Sequence, residues 1–109
     1  MLTIKAEIMF YKPTNGNFVE NEGLSTKSTL RPAFCFGDGL LFSGTIKNDN
    51  IYEEFLYQNL YTVNVDFPTI EEDEYDVIRP LLNIGMNLKI QNASKEIGEA
   101  RLTDFIYKI

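Results

Sequence analysis

The sequence predicts an all-β chain folded as a small six-stranded antiparallel closed β-barrel. Three observations predict it. Apolar and polar residues alternate with a period of two through several separate stretches, the mark of strands with one buried face. Turn-forming Gly, Pro, Asn and Asp recur at short intervals between those stretches. The aromatics are eight Phe and six Tyr, set among many Thr, Ile and Val, residue types that fit a pleated, half-buried surface.

Leu2, Ile4, Ala6, Ile8 and Phe10 alternate with Thr3, Lys5, Glu7, Met9 and Tyr11, which predicts a one-sided strand starting almost at the first residue. Pro13, Asn15 and Gly16 end it. From Asn17 to Thr29 the chain is polar apart from Phe18, Val19 and Leu24. It reads as a long excursion with room for one short strand, and long loops in compact domains often carry function. Leu30 to Phe36 resumes an extended pattern, with Pro32 near its start where a missing backbone donor is tolerated. Gly37-Asp38-Gly39 supplies the positive φ angles of a tight turn, so Leu40 to Ile46 is predicted to return as the partner strand. Lys47 to Asn50 make a further turn.

Ile51 to Leu60 supports two readings. Asn50 with Glu53 resembles a capping box, and Tyr52, Phe55, Leu56 and Leu60 would share one helical face. Phe55 with Tyr57 equally suits a short strand leading into a turn at Gln58-Asn59, and this reading is favoured. Tyr61, Val63, Val65 and Phe67 then alternate with Thr62, Asn64 and Asp66 until Pro68 ends the strand. Glu71, Glu72, Asp73, Glu74 and Asp76 form an acidic cluster with no calcium-loop spacing and no internal Gly. It reads as a solvated loop, with Tyr75, Val77 and Ile78 available for a short strand before Pro80.

The last stretch, Asn83 to Ile106, fixes its own register as a hairpin. Met86, Leu88 and Ile90 alternate with polar residues on one arm, and Gly98, Ala100, Leu102 and Ile106 fall on even positions of the other. Opposed residues share a face. Ile90 opposite Gly98, Leu88 opposite Ala100 and Met86 opposite Leu102 keeps every apolar residue inside and sets Lys89 against Glu99, leaving Asn92 to Glu96 as a five-residue loop. A slip of one residue would bring Glu99 into the core at a cost of several kcal/mol. Asp104 interrupts the pattern before Phe105 and predicts a bulge that re-aims the final side chains. Small residues at Gly98 and Ala100 let curved strands approach, favouring a barrel over a sandwich.

A chain of 109 residues predicts one domain, 1–109. Its net charge of −6, from sixteen acids and ten Lys and Arg, disfavours broad nucleic-acid binding and favours basic partners. The single cysteine, Cys35, allows no internal disulfide and reads as a buried, inert thiol. With no signal-like start and no long apolar run, a cytoplasmic location without membrane attachment is expected. The absence of His excludes Ser-His-Asp and Cys-His arrangements and the usual zinc sites. The acids gather on one segment instead of flanking a cleft, so no enzyme is expected. The seven glycines are dispersed and no GxxxxGK run occurs, so neither GTP nor any cofactor is expected.

The segments AEI at Ala6, RPAFCF from Arg31, SGTI from Ser43, YTVNVDF from Tyr61 and RPLLNIGMNLKIQNASKEIGEARL from Arg79 together resemble the C-terminal β-barrel domain (domain 3) of the elongation factor Tu family of translation GTPases. Their order spans nearly the whole chain. The resemblance implies a six-stranded barrel of the kind that contacts a nucleotide domain, an exchange factor and the T-stem of aminoacyl-tRNA, without GTPase chemistry of its own. The loop in which that family places tRNA-facing residues reads KPTNGNFVENEGLSTKSTLR here, with Lys12, Lys27 and Arg31 offset by Glu20 and Glu22. The turn before Tyr61 lacks the family's Pro-Gly-Asp.

Two functions follow as expectations. The first is a non-catalytic protein-binding module, in one form an acidic inhibitor or immunity-type protein, docking a basic partner through Glu71, Glu72, Asp73, Glu74 and Asp76. The alternative is an accessory translation factor that contacts tRNA or an elongation factor through Lys12, Lys27 and Arg31.

Overall fold

In β1 (Leu2–Phe10) the side chains of Leu2, Ile4, Ala6, Ile8 and Phe10 share one face, and all five are buried. The computed structural model describes residues 1–13, 23–27, 29–48 and 51–109. After β1 come β2 (Gly23–Ser25), β3 (Ala33–Cys35), β4 (Leu41–Ser43), β5 (Thr45–Lys47), β6 (Glu54–Leu56) and β7 (Tyr61–Phe67). Helix α1 (Glu72–Ile78) and a 3-10 turn at Arg79–Leu81 precede β8 (Asn87–Asn92) and β9 (Lys95–Tyr107). The expected turn at Asn15 and Gly16, the apolar pair Phe18 and Val19, the acids Glu20 and Glu22, and Asn50 lie outside the described residues.

Seven strands form one antiparallel sheet in the order β4-β3-β8-β9-β1-β7-β5. Its two edges, β4 and β5, are consecutive in the chain with only Gly44 between them. The Gly44 N–H donates to the Pro32 carbonyl at 2.9 Å and the Ile46 N–H to the Leu30 carbonyl at 3.0 Å, which carries the pairing alongside β3 past the bend. One bent run therefore supplies both edges, and the sheet closes into a barrel of six runs. The expected single strand from Leu40 to Ile46 is thus two, because the chain must turn a corner to pair with β3 on one side and β7 on the other.

The hairpin register is the one expected: Leu88 faces Ala100, Lys89 faces Glu99 and Ile90 faces Gly98. The Leu102 N–H donates to the Met86 carbonyl at 2.9 Å, extending the same register. Its loop is shorter than the five residues expected. A shift after Ile90 lets Gln91 pair with Glu96 and Asn92 with Lys95, leaving Ala93 (φ 56°) and Ser94 as the turn.

The second irregularity lies where Asp104 predicts it. Ala6 pairs with Leu102 but Lys5 with Asp104, so Thr103 is the extra residue of a bulge. Beyond it the parity reverses: Phe105 and Tyr107 are half-buried, and Ile106, expected inside, is 52% exposed. The bulge keeps Asp104 out of the core, which is the physical reason for the reversal.

The barrel axis is filled by side chains. Phe34 and Phe36 each meet Phe67 edge-to-face at 5.3 and 5.2 Å between centroids. At the base, Ile70, Ile78 and Leu82 are buried beneath α1 and the turn that follows. At the mouth, β2 and β6 form a two-stranded ribbon whose Phe55 packs on Phe10 and Tyr61. β6 answers the ambiguity of Ile51 to Leu60 in favour of a strand, with its turn one residue earlier than expected, at Tyr57-Gln58. Cys35, expected to be buried, is half-buried because it sits on the wall face of β3, between Phe34 and Phe36, which point inward.

Candidate functional site

The two groups of residues singled out from the sequence occupy opposite ends of the barrel. Leu2 pairs with Phe67 and Tyr107 at the base, and Phe10 pairs with Gly98 at the mouth. At roughly 3.3 Å per residue the rise between them is about 26 Å.

The acidic segment is a helix, not the solvated loop expected. Glu71 has extended backbone angles and its N–H donates to the Glu74 carboxylate at 3.1 Å, while the Tyr75 N–H donates to the Glu71 carbonyl at 2.8 Å. Glu72, Asp73 and Glu74 fill the first turn, where negative charge is favoured by the aligned peptide dipoles. Tyr75 and Ile78, three residues apart, turn the helix onto the barrel: Ile78 is fully buried and Tyr75 stacks on Tyr107 at 4.3 Å. The short strand expected at Tyr75, Val77 and Ile78 is therefore absent; those residues are helical. Arg79 lies 5.7 Å from the Phe105 ring centroid, holding the exit from the helix against β9.

This packing leaves Glu71, Glu72, Asp73 and Asp76 exposed and Glu74 half-buried. Among the described residues their one ion pair is Glu71 with the Met1 amine at 3.8 Å. The wall of the barrel is different. Lys47 pairs with Asp66 at 3.5 Å and Arg101 with Glu7 at 3.3 Å, and Lys5 and Lys89 lie opposite Asp104 and Glu99. Outside residues 71–76 the chain has eleven acids and ten bases, a balance of −1, so that one segment carries five of the six net negative charges. Their effect reaches Tyr107: burial of its ring, then the carboxylates of Glu71, Glu72, Glu74 and Asp76, raise its hydroxyl pKa above 10.0.

At the mouth, Lys12, Lys27 and Arg31 are all exposed. Lys12 follows Tyr11, whose N–H donates to the Ile97 carbonyl at 2.8 Å and whose hydroxyl donates to Glu99 at 3.2 Å. Burial, then Glu99 and Glu96, raise the Tyr11 pKa. Lys12 and Arg31 line adjoining recesses of about 240 and 230 Å³ that share Phe10, Leu24, Asn92 and Ile97. Lys27 lines neither, so two of the three expected cations come together and the third stands apart. Lys95, which the sequence reading passed over, joins Lys12 in the larger recess. Its signal was the tightness of the β8–β9 turn, which brings Lys95 opposite Asn92.

Among the described residues, no group of three or more Cys, Asp and Glu is placed to hold a metal ion, and no helix is long and apolar enough to cross a membrane. No protein-family model matches this sequence, and no curated protein sequence matches it.

Proposed function

We propose that this chain is a non-catalytic protein-binding barrel that docks a basic protein surface through Glu71, Glu72, Asp73, Glu74 and Asp76, in the manner of a small acidic inhibitor or immunity-type protein. The observation that carries the reading is the location of the charge, with five of six net negative charges in six residues at one end. A helix packed through Ile78 and Tyr75 fixes the backbone that carries those carboxylates. Fixed charge costs less ordering on association than charge on a loop. A field of one sign at one end also steers a partner of opposite sign into a single orientation. The resemblance to the elongation factor Tu C-terminal barrel supports the same reading at the level of fold, since such a barrel works through its outer surfaces.

The test is capture on the immobilised chain, identification of the partner by mass spectrometry, and measurement of its association rate. The partner is expected to be basic, its association to slow at least tenfold at high salt, and the variant E72Q/D73N/D76N to lose most of the rate. An association rate that is the same for that variant and the parent removes the acidic end from the function.

A second reading, an accessory translation factor touching tRNA or an elongation factor, is favoured by Lys12 and Arg31 lining adjoining recesses with Lys95 beside them. It predicts tRNA binding at low salt that K12E/R31E abolishes. Absence of any tRNA mobility shift at low salt ends that reading.

A further inference from the structure

The two recesses at the mouth share Phe10, Leu24, Asn92 and Ile97 and so adjoin as a groove lined by apolar and cationic side chains. Phe10, Leu24 and Ile97 contribute apolar surface to both halves, with Tyr57 in one and Leu30 and Pro32 in the other. The floor is held in place by the barrel. Phe10 ends the inward row of β1 and packs on Phe55, and its carbonyl accepts from the Gln58 N–H at 2.7 Å. Each half, at about 240 and 230 Å³, is smaller than the roughly 300–1,000 Å³ of drug-sized sites and suits a narrow ligand such as a single hydrocarbon chain. Lys12 and Lys95 against Glu96 leave one half with a charge of +1, and Arg31 gives the other half the same. That rim is positive in a chain of net charge −6.

We propose that this groove binds a small amphipathic monoanion, an acyl carboxylate, with its hydrocarbon on Leu24, Ile97 and Pro32 and its carboxylate against Lys12 and Arg31. Glu96 offsets one of the three cations, Lys12, Lys95 and Arg31, and leaves the rim with a net charge of +2 toward an anionic head group. The apolar floor distinguishes this ligand from a nucleic acid. Of the three aromatic rings that line the groove, Phe10 is 2% exposed and Tyr11 and Tyr57 are half-buried, so the distinction rests on the aliphatic surface of Leu24, Leu30, Pro32 and Ile97, which a phosphate backbone does not use.

The experiment is a titration of the isotope-labelled full chain with sodium decanoate below its micellar concentration, followed by amide resonances. Saturable shifts are expected at Tyr11, Lys12, Leu24, Arg31, Asn92 and Ile97. Decyltrimethylammonium, with the same chain and the opposite charge, is expected to bind at least tenfold more weakly. K12E/R31E is expected to weaken decanoate at least tenfold with an otherwise dispersed spectrum, because both side chains are exposed and neither supports the core. The proposal is overturned by no saturable shift with decanoate, by equal binding of the two amphiphiles, or by a double variant that binds as the parent does. Shifts of these resonances by tRNA and not by decanoate overturn it too and assign the groove to nucleic acid.

Discussion

Gly44 lies so close to Phe67 that a Cβ at Gly44 would stand 2.7 Å from the Phe67 ring, and 2.6 Å from a Val65 methyl. This contact is where the barrel closes, since Gly44 joins the two edge strands and the inward face there is already occupied by Phe67, Val65 and Phe34. Gly44→Ala is therefore expected to overpack the corner and destabilise by roughly 1–3 kcal/mol. Denaturant unfolding measures it. Ala tolerated without loss would mean that the bent run does not press on the core and that closure is looser than described.

The same logic separates a docked helix from a solvated one at the base. Ile78→Ala removes a fully buried side chain and is expected to cost roughly 2–5 kcal/mol. Tyr75→Ala loses the stack on Tyr107, worth about 0.5–1.5 kcal/mol beyond its buried area. Asp73→Ala, on the exposed side of the same helix, should stay within about 0.5 kcal/mol of the parent. Equal, small effects for all three in denaturant titrations would return the segment to a loop.

The hairpin was legible because its core positions alternate with charges that cannot be buried: Lys89 and Glu99 leave one register open, and the chain takes it. The closure through Gly44 was not legible, because a corner residue inside an alternating run looks like any other strand position until both partners are known. The acidic helix was hidden for a different reason. In residues 71–78, five of them acids, only Tyr75, Val77 and Ile78 carry an apolar signal, too few for a period, and the Glu71 to Glu74 capping spacing was submerged in the charge. At the mouth, Lys12 and Arg31 could be picked out as cations, yet their convergence on one groove with Lys95 depends on strand pairings far apart in the chain.

Tyr107 couples the charge of the helix to the stability of the barrel. Its pKa is raised in the folded chain by burial of the ring and then by Glu71, Glu72, Glu74 and Asp76. A group that holds its proton more tightly when folded contributes stability fully present below the unfolded value of 10.0 and lost as pH rises through the folded value. Stability is thus expected to fall above pH 10.0, and Tyr107→Phe to remove part of that fall together with the late component of tyrosinate absorbance. E71Q/E72Q/E74Q/D76N should move the component down toward 10.0, because each of those carboxylates raises it, and leave the part due to burial in place. A component that stays where it was in that variant would remove the carboxylates as a cause.

The bulge at Thr103 leads to a pair of deletions, two positions apart, with opposite outcomes. Since Ala6 pairs with Leu102 and Lys5 with Asp104, removing Thr103 leaves every other pairing in place: Leu102, Phe105 and Tyr107 stay inside, and Asp104 and Ile106 stay outside. The loss is the hydrogen bond from the Thr103 hydroxyl to the Lys5 carbonyl, 3.0 Å long, about 0.5–1.5 kcal/mol. Removing Arg101 instead breaks the alternation upstream of the bulge. Either Glu99 enters the core opposite Ile8, or the bulge is consumed and Thr103 takes the buried place of Leu102. The second route is the cheaper and still costs roughly 2–5 kcal/mol for the lost leucine, before the hydroxyl it buries is counted. Thermal and denaturant unfolding of the two variants should therefore differ widely although each lacks one residue of the same strand. Equal stability of the two would mean that the parity of β9 is not set where the pairing places it.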